Sequence, residues 1–188
     1  MIDSFEKIPI SIHESAKQAT KIIAAEIAKL IREKAAAGMH CVLGMATGST
    51  PKSLYAELVR LHREEGLSFK NVVSFNLDEY YPMKPDAAQS YHRFMNSFLF
   101  SHVDIDPSNI HIPDGTIEKA NIHSYADSYE KAIADAGGID IQILGIGVNG
   151  HIGFNEPGSS RNSLTRIAAL DNSTRLANAY EFENISQV

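Results

Sequence analysis

Residues 40–51 read His40-Cys41-Val42-Leu43-Gly44-Met45-Ala46-Thr47-Gly48-Ser49-Thr50-Pro51. The apolar run in residues 40–45 predicts a buried strand, and the polar residues after it predict a turn. Pro51 suits the first turn of a helix because its missing N–H is not needed there, and we expect Thr50 to cap that helix. The segment therefore predicts a strand, a polar turn and a helix in immediate succession.

Strand and helix patterns alternate on both sides of this segment. Upstream, apolar residues recur at helical spacing over residues 12–37, and Gly38 follows where a helix is expected to stop. Downstream, we predict a helix from residue 51, strands at 71–76 and 139–146, a short apolar run at 110–112, and helices at 91–103 and 117–136. This alternation is typical of an α/β fold, here a Rossmann-like, mostly parallel sheet with helices on both faces. Such sheets bind ligands beyond the C-terminal ends of their strands.

Composition and charge indicate one globular domain over residues 1–188. A hydrophobic content of 44% in 188 residues suffices for a single core. The net charge of −6 leaves no basic surface for nucleic acid. The single cysteine, Cys41, lies in an apolar run and predicts a buried thiol without redox chemistry. We see neither a signal-peptide pattern nor an apolar stretch able to span a bilayer, so we expect a cytoplasmic protein with no membrane partner.

The polar turn has the character of an anion site. Thr47, Gly48, Ser49 and Thr50 precede a predicted helix, where free backbone N–H groups and the helix dipole favour a negative charge. The pattern is neither a Walker loop nor a dinucleotide fingerprint, so a phosphate on a small substrate fits it better than a nucleotide. The alternative is a capped strand-to-helix turn without any ligand, because the same residue types are common there.

Acidic residues close the second predicted strand. Asp78 and Glu79 are neighbours, and since successive strand residues point to opposite faces, we expect only one of them to enter a given pocket. That carboxylate is a candidate base. The alternative is that both are solvated loop residues.

A glycine-rich segment follows the last predicted strand. Residues 144–157 hold His151 and Glu156 within one loop whose glycines allow tight turns and close substrate approach. A histidine oriented by a carboxylate can exchange protons near neutral pH. The alternative is that His151 only caps a turn while Glu156 is solvated. The histidines are otherwise scattered without metal-ligand spacing, so we predict no metal.

Four motifs, in this order, resemble the glucosamine-6-phosphate deaminase family. They are Ala46-Thr47-Gly48-Ser49-Thr50-Pro51, Phe75-Asn76-Leu77-Asp78-Glu79-Tyr80, Ser90-Tyr91-His92 and Gly150-His151-Ile152-Gly153-Phe154-Asn155-Glu156-Pro157. The first is shared with 6-phosphogluconolactonases and with sugar-phosphate-binding regulators of the same fold. The Phe-Asn-Glu-Pro sequence after His151 is similar to the deaminase branch.

The resemblance implies conversion of glucosamine 6-phosphate and water into fructose 6-phosphate and ammonia, in amino-sugar catabolism and without a cofactor. It implies that His151 handles the ring-oxygen proton, that Asn149 and Glu156 orient it, and that Asp78 moves the C2 proton towards C1. It also implies a homo-oligomer as one candidate assembly. The implied substrate and phosphate contacts are Thr47, Gly48, Ser49, Thr50, Gly145 and Arg175.

The chain departs from the family pattern at several positions. Asn149 stands where many members have an aspartate, Tyr180 where an arginine contacts phosphate, and Ala168 where some relatives have an allosteric lysine, so we expect no amino-sugar allostery. A further phosphate-contacting lysine of the family comes from a later strand, and we expect the family domain to continue beyond Val188. Two alternatives stay open: a non-catalytic sugar-phosphate sensor and a 6-phosphogluconolactonase-like hydrolase.

Overall fold

The computed structural model describes residues 9–179 together with Phe182. Within them, one parallel sheet has the strand order β3-β2-β1-β4. The strands are β1 (Cys41–Met45), β2 (Val72–Asn76), β3 (Ile110–His111) and β4 (Ile141–Gln142). The α-helices are α1 (Ala16–Ala36), α2 (Pro51–Glu65), α3 (Tyr91–Phe98), α4 (Ile122–Asp135) and α5 (Asn172–Asn178). The short 3-10 helices are Phe100–His102, Pro107–Asn109 and Lys119–Asn121.

The two central strands end at the same edge of the sheet. Cys41 pairs with Val72 and Met45 pairs with Asn76, so β1 and β2 run in register over their full length. All residues of both strands are buried, as expected for parallel strands covered on both faces. The segments that follow Met45 and Asn76 therefore emerge side by side.

Helices cover both faces of the sheet, which confirms the predicted architecture. On one face, α1, α2 and α3 pack against the side chains of β1 that include Leu43 and Met45. On the other face, Tyr129 of α4 packs edge-on against Phe75, with ring centroids 5.7 Å apart. Cys41 is buried as predicted, and burial raises the pKa of its thiol to about 11, which makes it unreactive at neutral pH.

Some predicted helix limits were too wide. Helix α1 begins at Ala16 because Ser15 caps it by accepting a hydrogen bond from the Gln18 backbone N–H, 3.2 Å away. Helix α3 ends at Phe98 and continues only as a 3-10 turn, and α4 begins at Ile122 after another 3-10 turn. In the part of the chain described, no helix is long and apolar enough to cross a membrane.

The last predicted strand is shorter than expected. Pairing with β1 extends from the Asp140 N–H, which donates to Val42, to the Ile143 N–H, which donates to Gly44. Beyond it the side chains are open to solvent, with Ile146 78% exposed. The prediction of a strand through residue 146 was wrong, because β1 ends at Met45 and offers the following residues no backbone partner.

Candidate active site

A cavity of about 610 Å³ opens at the edge where β1 and β2 end. It collects segments that lie far apart in the chain: the polar turn after β1, the end of β2 and the glycine-rich loop after β4. Its polar lining includes Thr47, Ser49, Thr50, Asp78, His151 and Asn178. This is the position at which ligands bind in parallel α/β sheets.

The polar turn lines one wall of the cavity. Gly48 has φ 102°, a left-handed conformation that favours glycine, and nothing within 4 Å would meet a β-carbon there. The Tyr91 hydroxyl contacts the Thr47 side chain, and Tyr55 donates to the Ala46 carbonyl from below. Tyr91 and Tyr55 thus hold the turn in place, while its hydroxyls and the start of α2 face the cavity.

Thr50 does not cap α2. It occupies the predicted position before Pro51, but its φ of −64° and ψ of −48° are already helical, and its hydroxyl makes no capping bond. A capping residue needs an extended backbone to turn its oxygen onto the helix N–H groups. The prediction of a Thr50 cap was wrong, and the first N–H groups of α2 stay available to an anion.

Asp78 lies in the wall of this cavity. The residue is half-buried, and its carboxyl lies in densely packed protein. Desolvation by burial, and secondarily the charge of Glu79, raise its pKa to about 7. A carboxylate with this pKa is a stronger base than an ordinary aspartate and is substantially ionised at neutral pH.

Glu79 turns away from this cavity and anchors α3. Its carboxylate accepts hydrogen bonds from the backbone N–H groups of Tyr91 and His92 at 3.0 and 3.1 Å, and from the Ser90 hydroxyl at 3.0 Å. These are N–H groups at the helix start, where a negative charge is favourable. Only Asp78 lines this cavity, but both residues line the cavity that adjoins it, so the expectation that only one of them enters a given pocket holds for the first cavity alone. Glu79 clamps the end of β2 to α3.

The glycine-rich loop bends back on itself around His151. The Gly147 N–H donates to the His151 carbonyl at 2.9 Å, and the imidazole lies directly against Gly147. Gly153 and Phe154 follow with φ of 57° and 54°. A positive φ at a phenylalanine is uncommon, and such strain concentrates at functional sites. The Phe154 ring lies 5.4 Å from the imidazole, between centroids.

A chain of hydrogen bonds defines the state of His151. The Asn149 side-chain N–H donates to Glu156 Oε2 at 2.6 Å, and because a carboxylate only accepts, this contact fixes the orientation of the amide. The amide oxygen then faces His151 Nδ1 at 2.8 Å. This oxygen favours the tautomer that carries its proton on Nδ1, which leaves Nε2 as the acceptor of the neutral ring.

Glu156 is held in its charged form. Burial alone would raise its pKa, but hydrogen bonds from Thr174, Asn149 and the Asp171 backbone N–H outweigh that effect and bring the pKa below its usual range. Glu156 Oε2 lies 3.6 Å from His151 Nδ1. The predicted acid/base residues of the loop are therefore brought together, with Asn149 between them.

Two members of the site were not among the predicted site residues. Thr174 is fully buried, and its hydroxyl oxygen lies 3.2 Å from His151 Nδ1 and 3.4 Å from Asn149 Nδ2. Tyr91 reaches the polar turn from α3. The motif Ser90-Tyr91-His92 contains Tyr91 without giving it a role at the turn, and nothing in the local sequence marks Thr174, because each is recruited from a helix that only the fold brings to the cavity.

A second cavity, of about 580 Å³, adjoins the first across Asp78 and Phe154. Arg175 lines this second cavity and not the one that contains the polar turn. Gly145 lines the cavity with the turn, and Ala168 lies in the second cavity beside Arg166. The Tyr180 departure lies outside the described residues.

Ligands for a metal do not come together in residues 9–179: there, no three or more His, Cys, Asp or Glu side chains form a group that could hold a metal ion. The ionisable groups of the site include Asp78, His151 and Glu156. The chemistry that they can perform by themselves is proton transfer.

Comparison with known proteins gives the family. Residues 14–174 match the family described as glucosamine-6-phosphate isomerases/6-phosphogluconolactonase. The chain belongs to this family. A glucosamine-6-phosphate deaminase from Oceanobacillus iheyensis is 52% identical over 147 residues, which is 78% of this chain and 58% of the relative. The family match over residues 14–174 includes all four motifs, so it covers the polar turn, Asp78 and the glycine-rich loop as well as the fold.

Solved structures of this family have the same fold as this chain. A monomeric glucosamine-6-phosphate deaminase superposes with a TM-score of 0.90 at 41% identity, covering 96% of this chain and 73% of that one. A 6-phosphogluconolactonase from Thermotoga maritima reaches a TM-score of 0.61 at 28% identity, covering 76% of this chain and 60% of that one. The chain spans 26% to 66% of the length of three curated relatives that it matches.

Proposed function

We propose that this chain carries the acid/base centre of a glucosamine-6-phosphate deaminase, which isomerises the amino sugar and releases ammonia. The observation that carries the proposal is the joint placement of Asp78 and His151 on the cavity that the polar turn lines. The reaction needs one group that exchanges a proton with oxygen and another that exchanges a proton with carbon. The overall identities of 52% and 41% to two glucosamine-6-phosphate deaminases support the same reaction.

Substrate binding begins with the phosphate. The hydroxyls of Thr47, Ser49 and Thr50 and the free N–H groups at the start of α2 offer donors to a phosphate dianion. Gly48 lets the backbone follow the anion closely because glycine has no side chain and adopts the left-handed conformation readily. The sugar then extends towards Asp78 and His151, and Gly145 lies on the same wall.

Ring opening is the task of His151. Its Nε2 lone pair accepts the proton of the anomeric hydroxyl and returns it to the ring oxygen, while the bond between C1 and that oxygen breaks and the aldehyde forms. The proton on Nδ1 stays in place because Asn149 accepts its hydrogen bond. The negative charge of Glu156, 3.6 Å from Nδ1, stabilises the imidazolium that forms in passing.

Isomerisation is the task of Asp78. The ionised carboxylate removes the C2 proton to give an enolamine, and the protonated carboxyl then delivers a proton to C1. Water adds to the resulting imine at C2, the C–N bond breaks, and fructose 6-phosphate and ammonia leave. A fixed geometry and partial desolvation favour abstraction of a weakly acidic C–H proton. The raised pKa of Asp78, about 7, suits both halves of this transfer.

A second candidate is 6-phosphogluconolactone hydrolysis, since the lactonase from Thermotoga maritima shares the fold at 28% identity. Hydrolysis needs one base to activate water, and His151 Nε2 could serve. It gives no role to a carboxylate that exchanges a proton between two carbons. The buried base Asp78 therefore favours the deaminase reaction.

The test measures ammonia and fructose 6-phosphate released from glucosamine 6-phosphate, with Asp78→Asn and His151→Gln as site variants. We expect each to lower kcat by at least about 100-fold, because each removes a proton-transfer group. Matched controls are Asp127→Asn and His123→Gln, both on the exposed side of α4, and we expect neither to change turnover.

The outcomes separate the three functions. Binding of glucosamine 6-phosphate without turnover by the unmodified protein would support the sensor instead. Hydrolysis of 6-phosphogluconolactone that survives Asp78→Asn but not His151→Gln would support the lactonase. The cytoplasmic location stays a prediction from the sequence pattern. The place in N-acetylglucosamine catabolism, the phosphate contact of Arg175 and the homo-oligomer stay predictions from the family resemblance.

A further inference from the structure

Helix α5 buries a hydroxyl and exposes a leucine. Thr174 has no exposed surface, whereas Leu176 on the same helix is 65% exposed. A short surface helix normally does the reverse, because burying a polar group costs free energy unless it is hydrogen-bonded. The burial of Thr174 is therefore explained by what its hydroxyl contacts.

The hydroxyl of Thr174 lies at the centre of the His151 network. Its oxygen is 3.2 Å from His151 Nδ1 and 3.4 Å from Asn149 Nδ2, and it is hydrogen-bonded to Glu156. A hydroxyl has one hydrogen to donate and two lone pairs to accept with. The Glu156 carboxylate can only accept, so the hydrogen points to Glu156 and the lone pairs face His151 and Asn149.

We propose that Thr174 is a positioning residue that, together with Asn149, holds His151 as the Nδ1–H tautomer and aims the Nε2 lone pair at the cavity. The two oxygens next to Nδ1, from Asn149 and Thr174, both act as acceptors there because Glu156 takes their donors. Neither oxygen can offer Nδ1 a proton. The alternative tautomer, with its lone pair on Nδ1, would face two oxygens at once.

Thr174 also compensates for a missing charge. Asn149 is neutral, so it cannot stabilise a protonated imidazole as a carboxylate would. The Thr174 hydroxyl is polarised by the ionised Glu156 and presents the negative end of its dipole to Nδ1. The consequence for ring opening rests on the proposed function, whereas the tautomer of His151 does not.

The test combines nitrogen NMR of the histidine rings with kinetics, using the purified unmodified protein, Thr174→Val and Thr174→Ser. Valine keeps the shape and removes the hydroxyl, and serine keeps the hydroxyl. We expect the unmodified protein and Thr174→Ser to show His151 protonated on Nδ1 and unprotonated on Nε2. We expect Thr174→Val to show a mixture of tautomers, because one of the two acceptors at Nδ1 is lost.

We expect the loss of the Thr174 hydroxyl to change kcat more than KM. Thr174→Val should lower kcat on the order of 10-fold to 100-fold, as loss of a partner that orients a histidine does elsewhere, with KM changed less than about threefold. Thr174→Ser should retain kcat within about threefold. A purely structural role would instead lower stability and leave the tautomer ratio unchanged.

Several results would overturn the inference. One is an unmodified protein whose His151 carries its proton on Nε2, which is decisive even if Thr174→Val does not fold. Another is Thr174→Val with an unchanged tautomer and unchanged kcat. If the tautomer shifts as expected but no variant releases ammonia, the positioning role stands and the proposed function fails.

Discussion

The imidazole of His151 lies so close to Gly147 that a β-carbon at residue 147 would fall 2.1 Å from Cε1 and 2.3 Å from Nε2. Real β-carbons do not approach other atoms to such distances. The backbone of the same two residues is joined by the hydrogen bond from the Gly147 N–H to the His151 carbonyl. Residue 147 must therefore lack a side chain for the imidazole to lie where it does.

Gly147→Ala should displace His151 from the cavity. We expect kcat to fall by at least about 10-fold and stability to fall by roughly 1–3 kcal/mol, the usual cost of forcing extra atoms into a packed site. Ring NMR of His151 and thermal unfolding measure the two effects. Gly145→Ala is the matched control for folding, since nothing lies within 4 Å of a β-carbon there. A Gly147→Ala protein with an unmoved His151 resonance would contradict the contact.

Asp78→Asn should stabilise the protein at alkaline pH while abolishing turnover. The folded-state pKa of Asp78 is raised from 3.8 to about 7, so the folded protein binds more protons than the unfolded chain in that interval. The contribution of Asp78 to stability is therefore complete below about pH 4 and is lost as the pH rises through about 7. Asparagine does not ionise, so the variant should avoid this loss and be more stable at alkaline pH by on the order of 1–3 kcal/mol. This range takes into account that Asp78 is partly exposed to water in the cavity.

The measurement is the difference in Tm between Asp78→Asn and the unmodified protein as a function of pH. We expect the difference to be positive at pH 8 and to shrink or change sign at pH 4. Asp127→Asn, an exposed change on α4, should give a flat difference over the same range. A flat difference for Asp78→Asn would mean that its carboxyl titrates as an ordinary aspartate.

Glu79→Gln should shift the pH dependence of turnover to lower pH. Burial raises the pKa of Asp78 first and the charge of Glu79 raises it further, so removing that charge lowers the pKa of Asp78. The acid limb of the profile of kcat against pH should therefore move to lower pH. Glutamine at residue 79 would also lose part of the hydrogen bonding to the start of α3, which should cost about 1–3 kcal/mol of stability.

The control for this experiment is Glu26→Gln, which removes the same charge from an exposed position on α1. It should leave both the acid limb and the Tm in place. Loss of stability in Glu79→Gln without any move of the acid limb would restrict Glu79 to a structural role.

Asn149→Asp should make residues 149 and 156 share one proton. The Asn149 amide nitrogen lies 2.6 Å from Glu156 Oε2, and a carboxylate at that distance would repel the negative charge. We expect the pKa of Glu156, now below its usual range, to rise, with the pair titrating in two separate steps. Carboxyl-carbon NMR follows both groups. Asn121→Asp, at an exposed position before α4, is the control and should not move Glu156.

Gly48→Ala should weaken phosphate binding. The φ of 102° at Gly48 disfavours any side chain, so alanine strains or rearranges the turn, at roughly 1 kcal/mol or more. We expect a higher KM for glucosamine 6-phosphate and weaker inhibition by inorganic phosphate. Gly66→Ala, at φ 66° after α2, carries comparable strain outside both cavities and should leave phosphate affinity unchanged. Equal effects of the two variants would argue against a phosphate site in the turn.

Local patterns in the sequence determined much of this protein. Helical spacing, apolar runs and the positions of glycine and proline are local signals, so the alternation of strands and helices was predictable. The parallel topology follows from that alternation, and it brings the ends of β1 and β2 to one edge. Asp78 and His151 could be predicted as candidate acid/base residues for the same reason, because each follows a predicted strand.

Only the tertiary structure decided how these residues act. The pKa of Asp78 depends on the protein packed around it, and the tautomer of His151 depends on an amide whose orientation Glu156 fixes. Thr174 reaches Nδ1 from a helix 23 residues further along the chain, and β4 ends where its neighbour ends. Burial, hydrogen-bond direction and strand pairing are relations between distant segments, and a pattern within one segment does not contain them.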